Sequence, residues 1–171
     1  MSTQENRTNT LKEAKKAIRR AMLRKRPVFL WGPPGVGKSD LMDQLGGDLN
    51  GYMIDLRLAL MEPTDLRGIP YYNQAENNMS WAPPVDLPSQ ELAKEFETII
   101  LFLDEMNSAP MATQAAAYQL VLNRRIGTYE LPDNVVIVAA GNRETDRGVT
   151  YRMPAPLANR FVHIEVAADF D

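Results

Sequence analysis

The sequence contains no cysteine and only one histidine, His163. Without cysteine, the chain can form no disulfide bond, thiolate metal site or cysteine nucleophile. Because His163 lies within an apolar run typical of a strand, we interpret it as a packed or half-exposed strand residue. Metal sites or catalytic triads based on histidine are therefore not expected.

Long apolar stretches are also missing. No run approaches the ~20 residues needed to span a bilayer, and the N-terminus lacks the apolar core of a signal peptide. We therefore expect a cytoplasmic protein without a membrane partner. The 171 residues, 44% of them apolar and 24% charged, indicate one soluble globular domain with a substantial core.

The net charge of −3 conceals a basic segment near the N-terminus. Residues 12 to 26 contain eight lysines and arginines and one acid, Glu13. Thr10 and Glu13 have the spacing of a capping box, and apolar residues then recur on one face, so this segment predicts an amphipathic helix. Its basic face is either a patch for nucleic acid or an acidic partner, or a solvated helix face, which we favour. Residues 1–9 are polar and are expected to be disordered.

The most informative segment is a glycine-rich motif that ends in Lys38 and Ser39. It matches the G-x-x-x-x-G-K-[ST] pattern of a phosphate-binding loop, whose backbone N–H groups surround phosphate oxygens. In such a loop the lysine contacts the β- and γ-phosphates, and the serine hydroxyl can bind Mg²⁺. We assign nucleotide binding to the motif and the residue after it: Gly32, Pro33, Pro34, Gly35, Val36, Gly37, Lys38, Ser39 and Asp40.

The surroundings of this motif support the assignment. Residues 27–31 form a short apolar run typical of a buried parallel strand, and residues 40–49 have apolar side chains at helical spacing. Strand, glycine-rich loop and helix is the order that a phosphate-binding loop requires.

Other segments extend this alternation of strands and helices. Strands are predicted at 52–56, 98–103, 135–140 and 161–166, helices at 91–97 and 112–122, and a hairpin at 125–132. Five prolines between residues 61 and 90 argue against a long regular element there. The sequence therefore predicts an α/β fold, a three-layer sandwich with a mainly parallel five-stranded sheet.

Polar residues follow two of the most apolar predicted strands. Asp104 and Glu105 come directly after residues 98–103, where ligands sit in open α/β sheets. We predict that Asp104 binds Mg²⁺ and that Glu105 activates the attacking water, which favours ATP hydrolysis; a helix-capping pair is the alternative. Asn142 ends the strand at 135–140 and could contact the γ-phosphate or the water, although Gly-Asn is also a common turn pair.

Several motifs together resemble the MoxR-type AAA+ ATPases over residues 27–167. The stretch 104–110, Asp-Glu-Met-Asn-Ser-Ala-Pro, followed by Gln114 and an alanine-rich helix, is similar to the family's Asp-Glu-Ile-Asn-Arg-Ala-Pro segment. Asn142 matches sensor 1, and residues 125–128 resemble the hairpin before it. Residues 153–161 and 65–68 resemble the family's Asp-Arg-Phe segment and its Asp-Leu-x-Gly loop.

This resemblance implies a homo-oligomeric ring, commonly a hexamer, with ATP at each subunit boundary. It places Arg160 at the arginine-finger position, acting on a neighbour's γ-phosphate; a helix-capping arginine is the alternative. Arg143 and Arg147 could make secondary contacts, but solvated loop arginines are favoured. The aromatic residues of the proline-rich insert (Tyr71, Tyr72 and Trp81) suggest a hairpin facing a partner or the pore, with plain packing of the insert as an equal alternative.

The resemblance also implies a chaperone-like remodeller, often paired with a protein that carries a von Willebrand factor A domain. Such modules continue into a helical lid, and we expect residues 10–171 to form the ATPase core without that lid. Two other classes stay open: a nucleic-acid motor or loader, suggested by the basic helix, and an ATP-binding interaction module that does not hydrolyse its nucleotide.

Overall fold

A computed structural model of the chain describes residues 8–33, 35, 37–142 and 153–167. Within these ranges the strands are β1 (Thr8–Asn9), β2 (Val28–Trp31), β3 (Tyr52–Arg57), β4 (Ile69–Asn73), β5 (Asn78–Ala82), β6 (Ile99–Asp104), β7 (Arg125–Ile126), β8 (Tyr129–Glu130), β9 (Val135–Gly141) and β10 (Val162–Val166). The helices are α1 (Leu11–Leu23), α2 (Lys38–Asp48), α3 (Pro63–Arg67), α4 (Gln90–Glu95), α5 (Met111–Asn123) and α6 (Ala155–Ala158). Both lists follow the predicted alternation closely.

The main sheet has the strand order β1-β10-β2-β9-β6-β3, and all of its pairs are parallel. The five predicted strands form its body, which confirms the predicted fold class. The expectation that residues 1–9 are disordered is wrong for Thr8 and Asn9, which pair with Glu165 and Val166 of β10. Backbone pairing at an open sheet edge explains this addition, because it needs no apolar side chain.

The sheet is covered on both faces, as the apolar runs of β2, β6 and β9 require. One core contains α1 and α2 packed against Leu30, Phe102 and other residues that share their face of the sheet. The second core contains α5 and the short helical segments, packed against Phe29, Leu101 and their neighbours. Residues next to each other along a strand therefore enter different cores, which gives three layers.

The basic helix α1 starts as predicted. Thr10 and Glu13 form both hydrogen bonds of a capping box, and the apolar stripe of α1 is buried against the sheet. Beside this stripe, Lys15 Nζ lies 2.5 Å from a carboxylate oxygen of Asp48 in α2, and this interaction lowers the pKa of Asp48. One of the eight basic residues therefore contributes to helix–helix packing.

The proline-rich insert between β3 and α4 contains a short helix and an antiparallel hairpin. Strands β4 and β5 pair from Ile69–Ala82 to Asn73–Asn78, so the aromatic residues of this insert lie on a hairpin. Large apolar side chains on it are exposed, among them Tyr72 at 56% and Met79 at 62%. The smaller hairpin β7–β8 also forms where the sequence predicts it.

His163 has the structural role expected of a lone strand histidine. Trp31 Nε1 donates a hydrogen bond of 2.8 Å to His163 Nδ1, and His163 Nε2 lies 2.5 Å from the carbonyl oxygen of Ala158. The imidazole ring also stacks on the indole of Trp31.

Within the described part of the chain, every helix is too short or too polar to cross a bilayer.

Candidate functional site

Three strands bring the predicted site residues to one edge of the sheet. Strand β9 lies between β2 and β6, and all three are parallel, so their carboxyl ends meet at the same edge. The phosphate-loop motif follows β2, Asn142 follows β9, and Asp104 is the last residue of β6. Segments that are distant in sequence therefore converge because of the strand order.

A cavity of about 340 Å³ opens at this edge. Lys38 and Asp104 both line it. A nucleotide bound with Mg²⁺ needs both residues close together, and the cavity brings them to one place. Of the predicted residues, Gly32 and Pro33 are not among its lining, and Pro34 and Val36 lie outside the described residues. Among the described residues, those that line it are Gly35, Gly37, Lys38, Ser39, Asp40, Asp104, Glu105, Gly141 and Asn142.

The loop before α2 has a backbone shape that only glycine adopts without strain. Gly35 and Gly37 have φ angles of +82° and +86°, in the left-handed region. Gly37 is the N-cap of α2, and no side chain among the described residues caps this helix. The N–H groups of its first turn and the positive end of its dipole therefore face the cavity and suit an anion.

Lys38 holds two sides of the cavity together. Its Nζ donates to the carbonyl oxygen of Gly32 at 2.8 Å and to Oδ1 of Asn142 at 3.3 Å. The ammonium group therefore already lies between the phosphate-loop motif and the end of β9. The positive charge of Lys38 and the uncapped N-terminus of α2 would therefore both attract an anion in the cavity.

The acidic pair lies at the mouth of the cavity, half-buried, directly after a strand whose other residues are buried. Glu105 has φ +54° and ψ 37°, a left-handed conformation that is uncommon for a residue with a side chain. Its backbone N–H donates to Oδ1 of Asp104 at 2.8 Å. Left-handed conformations of residues with a side chain are frequent at functional sites.

Asp55 on β3, which the sequence analysis did not consider, lies near the acidic pair but does not line the cavity. Partial burial raises the pKa of Asp55, and the nearby negative charges of Asp104 and Glu105 raise it further, while Arg57 opposes the shift. The signal was present in the sequence as a charged residue within the predicted strand at 52–56. The cavity edge next to β6 therefore carries a concentration of negative charge.

Asn107 is a second residue whose importance appears only in the structure. It is 4% exposed, lies in a single 3₁₀ turn over Met106–Ser108, and contacts the backbone of Asn142. Gly141 allows this approach, because a Cβ atom added there would lie 2.4 Å from Oδ1 of Asn107. The sequence alone gives no sign of this contact, because the burial of Asn107 and its bonds to Asn142 appear only in the fold.

The oxygen ligands fit a divalent cation that shares its ligands with a nucleotide. The carboxylate of Asp104 and the hydroxyl of Ser39 line the same cavity. Among the described residues no group of three or more His, Cys, Asp or Glu side chains forms a complete metal site. One carboxylate and one hydroxyl fit Mg²⁺, which is usually bound by one or two protein ligands, several waters and the phosphates of a substrate.

A second cavity of about 340 Å³ adjoins the first between α1 and α2. The two cavities share Gly37 and Asp40. Leu11, Leu41 and the stems of Lys12 and Lys15 contribute apolar surface to it. It offers space for the rest of a ligand whose phosphates occupy the first cavity.

Arg160 lies at the opposite edge of the sheet. It precedes β10, is exposed, and lines a smaller cavity of about 140 Å³ with Lys25, Arg26 and Pro27, which precede β2. The structure therefore does not bring Arg160 to the cavity that contains Lys38. Arg143 and Arg147 lie outside the described residues.

Comparison with known proteins agrees with this geometry. The profile of the AAA family, the "ATPase family associated with various cellular activities", matches residues 28–167. The chain belongs to the AAA family of ATPases. This match confirms the predicted ATPase core, whereas the finer assignment to the MoxR type stays a prediction.

Solved structures show the same fold at low sequence identity. A candidate ATPase from Cytophaga hutchinsonii is 19% identical with a TM-score of 0.67. The match covers 93% of this AAA chain and 47% of the Cytophaga chain. RuvB from Thermotoga maritima, a Holliday junction branch migration motor, is 21% identical with a TM-score of 0.54, over 98% and 46%. NtrX from Brucella abortus is 17% identical with a TM-score of 0.56, over 94% and 37%. The AAA chain thus spans less than half of each of these structures.

One much longer curated protein is also similar. Midasin from Giardia intestinalis is 29% identical over 157 residues, which are 87% of this AAA chain and 3% of Midasin.

Proposed function

We propose that this chain is the ATP-binding and ATP-hydrolysing core of a MoxR-like AAA+ ATPase that remodels a partner protein or complex. The observation that carries this proposal is the convergence of Lys38, Asp104, Glu105 and Asn142 on one cavity. AAA family membership supports ATP as the substrate. The remodelling activity follows from the resemblance of the sequence to the MoxR type.

In the proposed complex each side chain contacts a different part of the reacting group. The first-turn N–H groups of α2 and the ammonium of Lys38 bind the β- and γ-phosphates. Glu105 accepts a proton from the attacking water, and Asn142 orients that water or the γ-phosphate. The adenosine part occupies the adjoining cavity beside Leu11.

Asp104 and Ser39 are the residues that we propose hold Mg²⁺. When bound, the ion neutralises charge on the β- and γ-phosphate oxygens. The negative charge of Asp104 and its half-buried position suit this role, because a half-buried carboxylate gains most from a cation that it can approach closely.

We further propose a cytoplasmic homo-oligomeric ring in which Arg160 contacts the nucleotide of a neighbouring subunit. Arg160 lies at the sheet edge opposite the cavity that contains Lys38 of the same chain. This position supports contact of Arg160 with a second copy. The remodelled client is a protein or complex, and a protein with a von Willebrand factor A domain is the partner type that the resemblance suggests.

We expect Lys38→Ala to weaken ATP binding by about 10- to 100-fold, since removing a hydrogen bond to a charged group costs about 1.5–3 kcal/mol. The dissociation constant for Mg-ATP can be measured by isothermal titration calorimetry on the purified chain. Lys94→Ala is the matched control, because Lys94 is exposed on α4 and pairs only at the surface with Glu91. An unchanged dissociation constant in the folded Lys38→Ala protein would contradict the assigned site.

The hairpin β4–β5 is the surface that we propose for the protein partner. Tyr72 pairs with Met79 across the hairpin, so their side chains form one exposed apolar patch. From Ile69 to Ala82 the sequence contains no lysine or arginine, and Glu76 is its only charged residue. Such a surface suits an apolar protein segment better than a phosphate backbone, which needs cationic contacts.

We expect a Glu105→Gln protein in ATP to retain its partner, and we expect Tyr72→Ser together with Met79→Ser to release it. Capture from nuclease-treated extract, followed by mass spectrometry, identifies what is held. Leu23→Ser is the control, since Leu23 is 84% exposed and lies on α1 outside the hairpin. Partner retention that is unaffected by the hairpin double variant would contradict this surface.

A nucleic-acid motor or loader is the second candidate function. The basic face of α1 supports it, because Lys12, Lys16, Arg19 and Arg20 are exposed on that helix. The pairing of Lys15 with Asp48 argues for a packing role for part of this face. Affinity for DNA that falls steeply with salt, and that is lost on replacing these four residues, would favour the second candidate.

A further inference from the structure

A single side chain holds both backbone polar groups of Asn142. The backbone N–H of Asn142 donates to Oδ1 of Asn107 at 3.1 Å, and Nδ2 of Asn107 donates to the carbonyl oxygen of Asn142. Asn107 is 4% exposed, so water does not compete for these bonds. Only a primary amide of this length supplies a donor and an acceptor in this arrangement.

The surrounding atoms leave Asn107 little freedom. At Gly141, an added Cβ atom would lie 2.4 Å from Oδ1 of Asn107 and 2.9 Å from Cζ of Phe29. A side chain at position 141 would clash with the amide of Asn107 and with the ring of Phe29, which explains the glycine there. The amide is fixed by packing as well as by hydrogen bonds.

The other end of this contact is the turn that carries Glu105. Glu105 is the N-cap of the 3₁₀ turn Met106–Ser108 that contains Asn107, and the backbone N–H of Ser108 donates to the carbonyl oxygen of Glu105 at 3.1 Å. A shift of this turn would therefore move Glu105 and the backbone of Asn142 together. The position of Glu105 relative to Asn142 is therefore set by the two residues of backbone from Glu105 to Asn107 and by the two hydrogen bonds between Asn107 and Asn142.

We propose that Asn107 is a positioning residue that fixes Asn142 relative to Glu105, and so sets the geometry between the attacking water and the γ-phosphate. This inference rests on the proposed function of the cavity. Asn107 touches neither substrate nor reacting atoms, because it acts through the backbone of Asn142. Lys38 extends the same arrangement, since its Nζ contacts the side chain of Asn142.

The test is a double-mutant cycle on ATP hydrolysis by the assembled protein. Asn107→Ser replaces the amide with a single, shorter hydroxyl, which cannot make both the hydrogen bond from the N–H and the one to the carbonyl oxygen of Asn142. We expect kcat to fall about 10- to 100-fold, since a misplacement of about 1 Å costs roughly 100-fold in rate. The dissociation constant for ATP should change less than about threefold, because the phosphate contacts of α2 and Lys38 remain.

The second arm uses Asn142→Ala as background. If Asn107 acts through Asn142, Asn107→Ser should lower kcat by less than about twofold in that background. Multiplicative effects of the two substitutions would overturn the inference. If Asn142→Ala alone left kcat unchanged, the proposed role of Asn142 in the function itself would fail, so the two failures are distinguishable.

Asn134 is a matched control for a purely structural amide. Its Nδ2 donates to the carbonyl oxygens of Ala93 and Phe96, at 2.8 and 2.9 Å, before the amino end of β9. Asn134→Ser should lower the melting temperature without changing kcat. Asn107→Asp is the second variant, in case Asn107→Ser does not fold; it has nearly the same shape but no donor, and the same loss of kcat is expected. An unchanged kcat in either folded variant of Asn107 would overturn the inference.

Discussion

Replacing Glu105 with glutamine is expected to abolish ATP turnover in the assembled protein while ATP binding is retained. Glutamine keeps the size and hydrogen-bonding oxygen of glutamate, but it cannot accept the proton of the attacking water. General base catalysis contributes about 10²- to 10⁴-fold, so kcat should fall by at least about 100-fold. The contacts of the phosphates with Lys38 and α2 do not involve Glu105, so affinity should hold.

In the proposed mechanism, Glu105 acts on a positioned water. As the water oxygen forms its bond to the γ-phosphorus, the bond from that phosphorus to the β-γ bridging oxygen breaks, and ADP leaves. The proton of the water passes to the carboxylate of Glu105, which returns it to solvent after product release. Glu105 has a left-handed backbone (φ +54°) and lines the cavity, which is compatible with this proposed role.

Steady-state hydrolysis and equilibrium ATP binding, measured on the same preparation, separate the two effects. Glu91→Gln is the control, because Glu91 is exposed on α4 and does not line the cavity. If Glu105→Gln hydrolysed ATP at the rate of the unmodified protein, Glu105 would not be the base. A parallel loss of binding and turnover would instead indicate that glutamine disturbs the cavity itself.

The sequence predicted the fold and the cavity well because the deciding signals are local. Continuous apolar runs such as residues 99–103 indicate buried parallel strands, and the spacing of glycines before Lys38 indicates the loop. Once those strands are parallel, their following residues must share one edge of the sheet. The convergence of Lys38 with Asp104 therefore required no knowledge of distant contacts.

What the sequence did not predict depends on contacts between distant segments. Asn107 contacts Asn142 across 35 positions, and nothing local distinguishes it from an asparagine that ends a turn. The pKa of Asp55 is raised by partial burial and by the charge of Asp104, which lies on the neighbouring strand β6. Strand β1 forms because Thr8 and Asn9 meet the free edge of β10, although their polar sequence suggests disorder.

The second large effect concerns Arg160, and we expect its replacement by alanine to lower kcat about 10³-fold or more in the assembled protein. An arginine finger stabilises the charge of the transferring phosphoryl group by that order of magnitude. Arg160 cannot do this for its own nucleotide. It precedes β10, and a five-residue strand spans about 16 Å between the two sheet edges.

The two sheet edges also differ in charge, which favours head-to-tail contact between copies. Lys25, Arg26 and Arg160 surround the cavity at the amino edge, whereas Asp104 and Glu105 line the cavity at the carboxyl edge. Such heterologous contacts close into a ring when the rotation between copies allows it. If Arg160 is the finger, we expect hydrolysis to depend on assembly, because each cavity would then need the arginine of a neighbour.

Mixing two inactive variants tests this arrangement directly. Arg160→Ala subunits keep an intact cavity, and Glu105→Gln subunits keep the arginine, so mixed rings contain some complete sites. With random mixing in equal amounts and independent sites, about a quarter of the unmodified activity should return. Arg20→Ala in place of Arg160→Ala is the control, since Arg20 is exposed on α1 and lies away from both cavities.

The alternative, in which Arg160 caps the turn after α6, makes the opposite prediction. Its backbone N–H already donates to the carbonyl oxygen of Leu157 at 3.0 Å, and a capping role for the side chain would serve only its own subunit. Arg160→Ala would then lower the melting temperature of isolated monomers, and mixed rings verified by native mass spectrometry would regain no activity. Recovered turnover in the mixture can come only from an arginine that crosses a subunit boundary, because neither parent preparation contains a complete site.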